Sequence, residues 1–263
     1  MLAVSSVEVS AAVSVTARRG GGGRRGVGNS RGGRGGRGGG RGGLKTKTRP
    51  RRARHPSTSE AMNTEVRLVP PPDGTPVPKL IVFDLDDTVW FPELYMMAGA
   101  PWQRDELGRV TDLSGEELRI YPAAREAIVM ISTHEAFAEC KIAFASRTNR
   151  AQWAFTAMEL HVCRSNYKYG TDKNDSTVKS NNKTLREHAG DLTEIYTGSK
   201  KKHFENLKVK TKIQYHDMLF FDNERVNITE VGQLGVVSVY CPGGMSQGAW
   251  EEGLCTFAKN RAK

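Results

Sequence analysis

The sequence lacks features that mark several classes of protein. No apolar stretch approaches the roughly 18 residues needed to cross a bilayer, so no membrane contact is predicted. The four cysteines form no CxxC pair, and the six histidines form no HxH or HxxxH pair. These spacings give no support for a zinc site. Four cysteines in a chain without a secretory signal predict reduced thiols and a cytoplasmic protein.

The first 60 residues also lack aromatic side chains and are poor in acids. Residues 1–60 hold 14 lysines and arginines against two glutamates. Residues 61–263 hold 25 basic and 27 acidic side chains, which nearly cancel. The net charge of +10 is therefore a property of the N-terminal part, and it carries no information about partners of the remainder.

The N-terminal part is dominated by glycine and arginine. Residues 20–43 contain 15 glycines and 6 arginines in RGG-like units, which cannot bury apolar surface. We predict a disordered Arg/Gly-rich tail over residues 1–61 and one domain over residues 62–263. The tail could contact RNA phosphates weakly or direct nuclear or organellar targeting, although it has no aromatic ring to stack on bases. The alternative is a solvated tail, with Met62 as a second start.

Short apolar runs alternate with segments of helical periodicity after residue 62. This alternation predicts an α/β fold with a central parallel sheet and helices on both faces. The predicted strands are 80–83, 141–145, 194–196, 218–221 and 235–240, and the predicted helices are 119–136, 151–161, 198–207 and 247–259. Residues 91–118 are predicted as a short flap and residues 163–190 as a polar surface excursion.

The run KLIVFDLDDTVW, residues 79–90, joins the first predicted strand to Asp84, Asp86 and Asp87. Side chains two positions apart in a strand point to the same side, so Asp84 and Asp86 are neighbours. Holding like charges together costs free energy unless a cation or a reaction uses them. Open α/β sheets bind ligands at the carboxyl ends of their strands, where these residues lie. The alternative is a strand that runs into an acidic turn.

Polar clusters also follow two later strands: Ser146, Arg147 and Thr148 after one, and Asp222, Asn223 and Glu224 after the other. Parallel strands would bring both clusters to the edge that carries Asp84. Several carboxylates at one edge call for a hard divalent cation with oxygen ligands, most simply Mg²⁺. Such a cation suits phosphate chemistry. Ser146, ahead of a helix, could hold an anion, and Lys200 could neutralise a phosphoryl group.

These stretches resemble a known family. FDLDDT, residues 83–88, resembles the first motif, DxDx[TV], of the haloacid dehalogenase (HAD) superfamily. Further matches follow in order along the chain: ASRT at 145–148, YTGSKKKHFENL at 196–207, LFFDNERVNI at 219–228 and CPGGMSQGAWEEGL at 241–254. Together they resemble the magnesium-dependent phosphatase-1 branch over residues 79–256. The resemblance implies a HAD-like Rossmannoid three-layer sandwich with a minimal cap.

The resemblance also implies catalytic and metal-binding roles. Asp84 would be the nucleophile that forms an aspartyl-phosphate. Asp86 would protonate the leaving oxygen and then activate water. Mg²⁺ would be held by the side chain of Asp84, the main-chain carbonyl of Asp86 and the side chain of Asp222.

The remaining matched residues would bind phosphate or support the site. Ser146 and Lys200 would hold the phosphoryl oxygens, and Thr88 would support the turn of the first motif. Arg147 would steer phosphate or pair with Asp87. Plainer alternatives are a helix cap for Ser146 and a solvated side chain for Lys200.

Two positions depart from the family pattern. The family usually carries a second acid where this chain has Asn223, which would bind a metal-bound water unless Glu224 compensates. Relatives often carry tyrosine where this chain has Asp87, whose charge would lie at the pocket rim.

The sequence therefore predicts a monomeric Mg²⁺-dependent phosphomonoesterase with acid phosphatase or protein tyrosine phosphatase-like activity. Its substrates would be phosphorylated small molecules or phosphoproteins, of phosphotyrosine or phosphosugar type. Three other classes of protein share some of these features. A cysteine-based phosphatase fails because Arg147 lies seven positions after Cys140 instead of six. A phosphatase of the RNA polymerase C-terminal-domain type shares DxDxT but fits the later motifs less well. An RNA-binding protein with a HAD module of reduced activity is the remaining alternative.

Overall fold

The structure, a computed structural model, describes residues 65–165 and 182–262. The tail predicted over residues 1–61 lies outside the described residues, so both its disorder and its boundary stay predictions. Residues 166–181, inside the predicted surface excursion, also lie outside them.

Nine strands form two sheets among the described residues. In chain order they are β1 (Leu80–Phe83), β2 (Trp90–Phe91), β3 (Gln103–Arg104), β4 (Val110–Thr111), β5 (Glu117–Ile120), β6 (Lys141–Ser146), β7 (Thr193–Ile195), β8 (Met218–Asp222) and β9 (Val237–Tyr240). The larger sheet has the order β7-β6-β1-β8-β9, with every neighbouring pair parallel. The predicted parallel sheet is confirmed, and β1 lies at its centre.

Within residues 65–165 and 182–262, six α-helices cover this sheet. They are α1 (Pro122–Thr133), α2 (Ala151–Leu160), α3 (Leu185–Ala189), α4 (Lys200–Thr211), α5 (Arg225–Gly232) and α6 (Gln247–Arg261). None of the helices in the described part of the chain combines the length and the apolar character that a membrane span requires.

Alternate side chains of β1 enter different apolar clusters. Ile81 and Phe83 pack with buried residues of α1, α2, α3 and α6. Leu80 and Val82 pack on the other face with buried residues of α4 and α5. The domain therefore has three layers, and both faces of the central strand are buried, as the apolar run predicted.

The predicted flap contributes most of a second, antiparallel sheet with the order β2-β5-β4-β3. Its inner side is apolar, since Trp90, Val110 and Leu118 are buried in the core that contains Ile81. Residues 91–118 are thus packed onto the domain and form no separate cap.

The prediction of a helix from residue 119 is wrong at its start. Arg119 and Ile120 belong to β5 and pair with Phe91 and Trp90. The helix begins at Pro122, because proline at the first helical position gives up a hydrogen bond that the helix does not need.

The prediction of a polar surface excursion over residues 163–190 is wrong at both described ends. Cys163 and Leu185 are fully buried. A helix, α3, begins after Thr184, whose side chain accepts from the main-chain N–H of Glu187 while Glu187 accepts from that of Thr184. This reciprocal cap stabilises a helix too short to give a clear apolar repeat.

One buried histidine makes the stability of the domain depend on pH. His161 follows α2 and stacks on Trp90 with ring centroids 6.3 Å apart. Burial, with a smaller contribution from Arg104, lowers the pKa of His161 to about 3. Between about pH 6 and pH 3 the folded protein therefore keeps this ring neutral, whereas an exposed histidine would be charged.

We expect the free energy of unfolding to fall as pH drops from about 6.5 towards 3, because His161 becomes protonated in the unfolded chain and stays neutral in the folded one. This group alone contributes up to about 1.4 kcal/mol per pH unit. Urea unfolding at about pH 7 and about pH 5 measures the loss. His161→Phe should lose less stability between the two pH values, and equal losses in both proteins would contradict the assignment.

Candidate active site

Three parallel strands deliver polar residues to one edge of the sheet. Asp84 follows β1, Ser146 ends β6 and Asp222 ends β8. The main-chain N–H of Asp84 donates to the carbonyl of Phe221 at 2.9 Å, which fixes the end of β1 against the end of β8. A cavity of about 460 Å³ opens here, lined by Asp84, Asp86, Glu93, Tyr95, Ser146, Arg147, Thr148, Asn149, Thr197, Asn223, Glu224 and Asn227.

The Lys200 side chain lies between two of the carboxylates. Its Nζ is 2.5 Å from Oδ1 of Asp84 and 3.1 Å from Oδ2 of Asp222, and it also donates to the carbonyl oxygen of Ala145. An ammonium has three N–H donors, so all three are used. Lys200 is fully buried beneath Asp84 and does not line the cavity. The alternative of a solvated lysine is wrong, because the helix start at Ser199 and Lys200 turns this residue inward.

Burial and charge shift the pKa values of this pair. Burial raises the pKa of Asp84 well above its usual range, and Asp222 adds to the rise while Lys200 opposes it. Burial alone would lower the pKa of Lys200, but the charges of Asp84 and Asp222 outweigh it and raise that pKa. Lys200 therefore stays charged and offsets the two carboxylates.

Asp86 is held in a different way. Its Oδ1 accepts from the indole Nε1 of Trp90 at 2.7 Å and from the main-chain N–H of Leu94 at 3.1 Å. Burial raises the pKa of Asp86, and these two hydrogen bonds oppose the rise only in part. A half-buried carboxyl with a raised pKa beside a cavity is suited to carrying a proton.

Thr88 ties the first motif to the last. Its fully buried Oγ1 accepts from the main-chain N–H of Asn223 at 3.0 Å, and its carbonyl accepts from the N–H of Met245 at 3.0 Å. Thr88 therefore connects the first motif to the stretches at 219–228 and 241–254. Asn223 lines the cavity with a half-buried side chain.

Ser146 and Arg147 both reach the cavity wall. Ser146 is buried, and its Oγ accepts from the main-chain N–H of Thr148 at 3.2 Å. Arg147 is partly exposed, with Nη1 at 3.6 Å from Glu224 and 3.0 Å from Oδ1 of Asn227. Glu224 is thereby directed towards Arg147.

Asn227 is a site residue that sequence reasoning missed. It is buried in α5, and its Nδ2 donates to both oxygens of Asp222 at 3.1 and 3.0 Å and to Glu224 at 3.0 Å. Its Oδ1 accepts from Arg147. The available signal was an asparagine five positions after Asp222, in a helix that begins directly behind the acidic cluster.

The donors at this edge fit a hard divalent cation. Asp84 and Asp222 supply two carboxylates that share the Lys200 ammonium, and the carboxylate of Asp86 lies on the wall of the same cavity. The oxygen-only character and the excess negative charge suit Mg²⁺. Among residues 65–165 and 182–262, no group of three or more His, Cys, Asp or Glu side chains converges as a metal site. A cation here would therefore combine few protein ligands with water.

Comparison with known proteins agrees with this geometry. Residues 76–260 match the sequence profile of the family described as Acid Phosphatase. The chain is 33% identical to human Magnesium-dependent phosphatase 1 over 183 residues, which cover 70% of this chain and 89% of the human protein. The chain therefore belongs to the magnesium-dependent phosphatase-1 family of acid phosphatases.

One solved structure shares a weaker likeness. It is the phosphatase domain in the N-terminal part of the protein BF1531 from Bacteroides fragilis, complexed with Mg. The two are 17% identical with a TM-score of 0.41, and the match covers 70% of this chain but only 40% of that one.

Replacing Lys200 should destabilise the domain. In Lys200→Met two buried carboxylates lose their shared counter-charge, which we expect to lower the free energy of unfolding by about 3–5 kcal/mol. Lys201→Met is the matched control, because this half-buried neighbour donates to Gln233 at the surface, and its effect should stay within about 0.5 kcal/mol. Urea unfolding of both variants measures the difference, and similar losses would show that the buried pair contributes no special stability.

Proposed function

We propose that the protein is an Mg²⁺-dependent phosphomonoester hydrolase of the HAD type that acts through an aspartyl-phosphate. The observation that carries this proposal is the buried Lys200 ammonium shared by Asp84 and Asp222 at the floor of the cavity. This contact opposes the rise in the pKa of Asp84 that burial causes, and it fixes the carboxyl group at the bottom of an open pocket, as a nucleophile requires. Membership of the acid phosphatase family supports the reaction class.

The metal would be held by the side chains of Asp84 and Asp222 and the main-chain carbonyl of Asp86. Bound there, Mg²⁺ supplies electrostatic stabilisation of a phosphoryl group. The naming of the human relative as magnesium-dependent supports this choice of cation.

Asp84 begins the proposed reaction. A carboxylate oxygen of Asp84 attacks phosphorus while the bond from phosphorus to the leaving oxygen breaks, and Asp86 gives that oxygen a proton. Asp86 then takes a proton from water, whose oxygen attacks phosphorus and releases Asp84. The same carboxyl thus acts as acid and as base in turn.

Positive and polar groups around Asp84 would bind the phosphoryl oxygens. Ser146 and Arg147 line the cavity, and Arg147 is already fixed by Asn227 and Glu224. Lys200 would act from below, through its contact with Asp84. Such preorganised charge stabilises a transferring phosphoryl group better than mobile side chains do.

The cavity supports phosphomonoesters with an exposed leaving group, either of phosphotyrosine or of phosphosugar type. The cavity has a volume of about 460 Å³ and opens to solvent, and most of the residues that line it are polar. Tyr95, which is 57% exposed on the wall, offers a ring against which an aryl group can pack.

The first test is hydrolysis of p-nitrophenyl phosphate by the full chain with and without Mg²⁺. We expect turnover that needs the metal, and a fall of at least about 10³-fold in Asp84→Asn, the size of loss seen when a nucleophile is removed. Asp73→Asn, at an exposed position before β1, is the control and should keep its activity. Substantial turnover by folded Asp84→Asn would overturn the nucleophile assignment.

We also propose that residues 1–61 add weak RNA binding without taking part in hydrolysis. The support is their 14 basic side chains against two acids within residues 1–60, and the start of the family match at residue 76.

Deleting residues 1–61 should leave kcat for p-nitrophenyl phosphate unchanged and remove binding to a single-stranded RNA, measured by fluorescence anisotropy. Binding by the full chain should weaken steeply with added salt, because it depends on phosphate contacts. A large loss of kcat would show that the tail belongs to the enzyme, and unchanged RNA binding would place the contact elsewhere.

A further inference from the structure

One oxygen of Asp86 is fully committed to residues that follow it in the chain. Oδ1 accepts from Nε1 of Trp90 at 2.7 Å and from the main-chain N–H of Leu94 at 3.1 Å. A carboxylate oxygen has two lone pairs, so these donors occupy both. Within residues 65–165 and 182–262, the other oxygen, Oδ2, takes part in no hydrogen bond, and Asp86 lines the cavity.

The position of the proton on Asp86 follows from this asymmetry. A hydrogen on Oδ1 would point at the two N–H groups that already bind this oxygen. A hydrogen on Oδ2 meets no such donor and lies on the oxygen left for the cavity. The acid form of Asp86 is therefore preorganised to donate from Oδ2.

The Trp90 indole is itself firmly placed. Trp90 is fully buried, its main-chain N–H donates to the carbonyl of Leu85 at 3.1 Å, and it pairs with Ile120 in the second sheet. Its ring stacks on that of the buried His161. A rigid donor of this kind fixes the orientation of a carboxyl group better than water does.

We propose that Trp90 is a positioning residue for phosphoryl transfer, whose indole N–H holds Oδ1 of Asp86 so that Oδ2 faces the oxygen of the leaving group. This role rests on the hydrolase function proposed above. In the step it serves, the Asp84 carboxylate forms a bond to phosphorus and the bond from phosphorus to the leaving oxygen breaks. The proton on Oδ2 of Asp86 passes to that oxygen, so the products are an aspartyl-phosphate and a neutral alcohol or phenol.

The contribution of Trp90 should depend on the leaving group. A phenol with a pKa near 10 leaves poorly without protonation, whereas p-nitrophenolate is a stable anion that needs little help. General acids typically contribute about 10²–10⁴-fold to a rate. Loss of orientation by Trp90 should therefore slow phenyl phosphate hydrolysis more than p-nitrophenyl phosphate hydrolysis.

The kinetic test compares Trp90→Phe with Trp250→Phe in the full-length protein with Mg²⁺. Both tryptophans are fully buried, but Nε1 of Trp250 has no hydrogen-bond partner among the described residues. Trp250→Phe thus controls for the change of ring size without the loss of an N–H contact. We expect kcat/KM of Trp90→Phe to fall about 10-fold or more with phenyl phosphate and less than about threefold with p-nitrophenyl phosphate. This ratio reports the steps up to formation of the aspartyl-phosphate and excludes its hydrolysis, which is common to both substrates. Trp250→Phe should alter both substrates equally.

The contact can be checked independently by the indole signals in a ¹H–¹⁵N spectrum. The chain has four tryptophans, so the Trp90 signal is identified by its loss in Trp90→Phe. A hydrogen bond to a carboxylate is stronger than one to a neutral acceptor, and the Trp90 signal should move upfield in Asp86→Ala. The signals of Trp102 and Trp250, whose indoles lack partners in the described structure, should stay in place.

The possible outcomes separate this proposal from the one on which it rests. Equal losses with both phosphates in an active protein, an unmoved Trp90 signal in Asp86→Ala, or a selective loss in Trp250→Phe would each overturn the role of Trp90 alone. Absence of turnover by the wild-type protein with Mg²⁺ would overturn the hydrolase function and this role with it.

Discussion

The buried ion pairs of Lys200 are the constraint on which the site depends. Asp84 and Asp222 end neighbouring strands, and their charges would repel each other in an environment that excludes water. The Lys200 ammonium, with all three donors used, holds them together. The start of α4 must therefore lie next to the ends of β1 and β8. Because α4 also packs on the face of the sheet that carries Leu80 and Val82, the packing of that face determines the geometry of the cavity.

Much of this arrangement could be predicted from the sequence, because it rests on local patterns. The buried strand ahead of Asp84 and the polar clusters at 146–148 and 222–224 come from hydrophobic runs that end abruptly, and their convergence follows from parallel pairing. The start of α1 was misplaced because residues 119 and 120 fit a helical repeat as well as a strand, and only the pairing of β5 with β2 decides between them.

The residues that sequence reasoning missed act through tertiary contacts. Asn227 joins Asp222, Glu224 and Arg147 from within a helix. In the sequence its position five residues after Asp222 is the one signal of this role, and it does not reveal which groups the side chain contacts. The sequence alone leaves Trp90 compatible both with the core and with a pocket wall. The structure shows that it belongs to the core, while its one polar atom reaches Asp86. A pattern of apolar residues cannot report such a contact, because it records burial and not the direction of an N–H group.

The departure at Asn223 affects charge more than shape. Its main-chain N–H, and not its side chain, makes the contact with Thr88 that joins the first motif to the stretch at 219–228. Any residue other than proline can supply that N–H, so an amide in place of an acid leaves the link intact. The carboxylates of Asp84 and Asp222 still contact the Lys200 ammonium, and that of Asp86 still lines the cavity. Glu224 is engaged by Arg147 and Asn227. The site therefore keeps the negative charge that a divalent cation needs, and Asn223 removes only an additional charge at its edge.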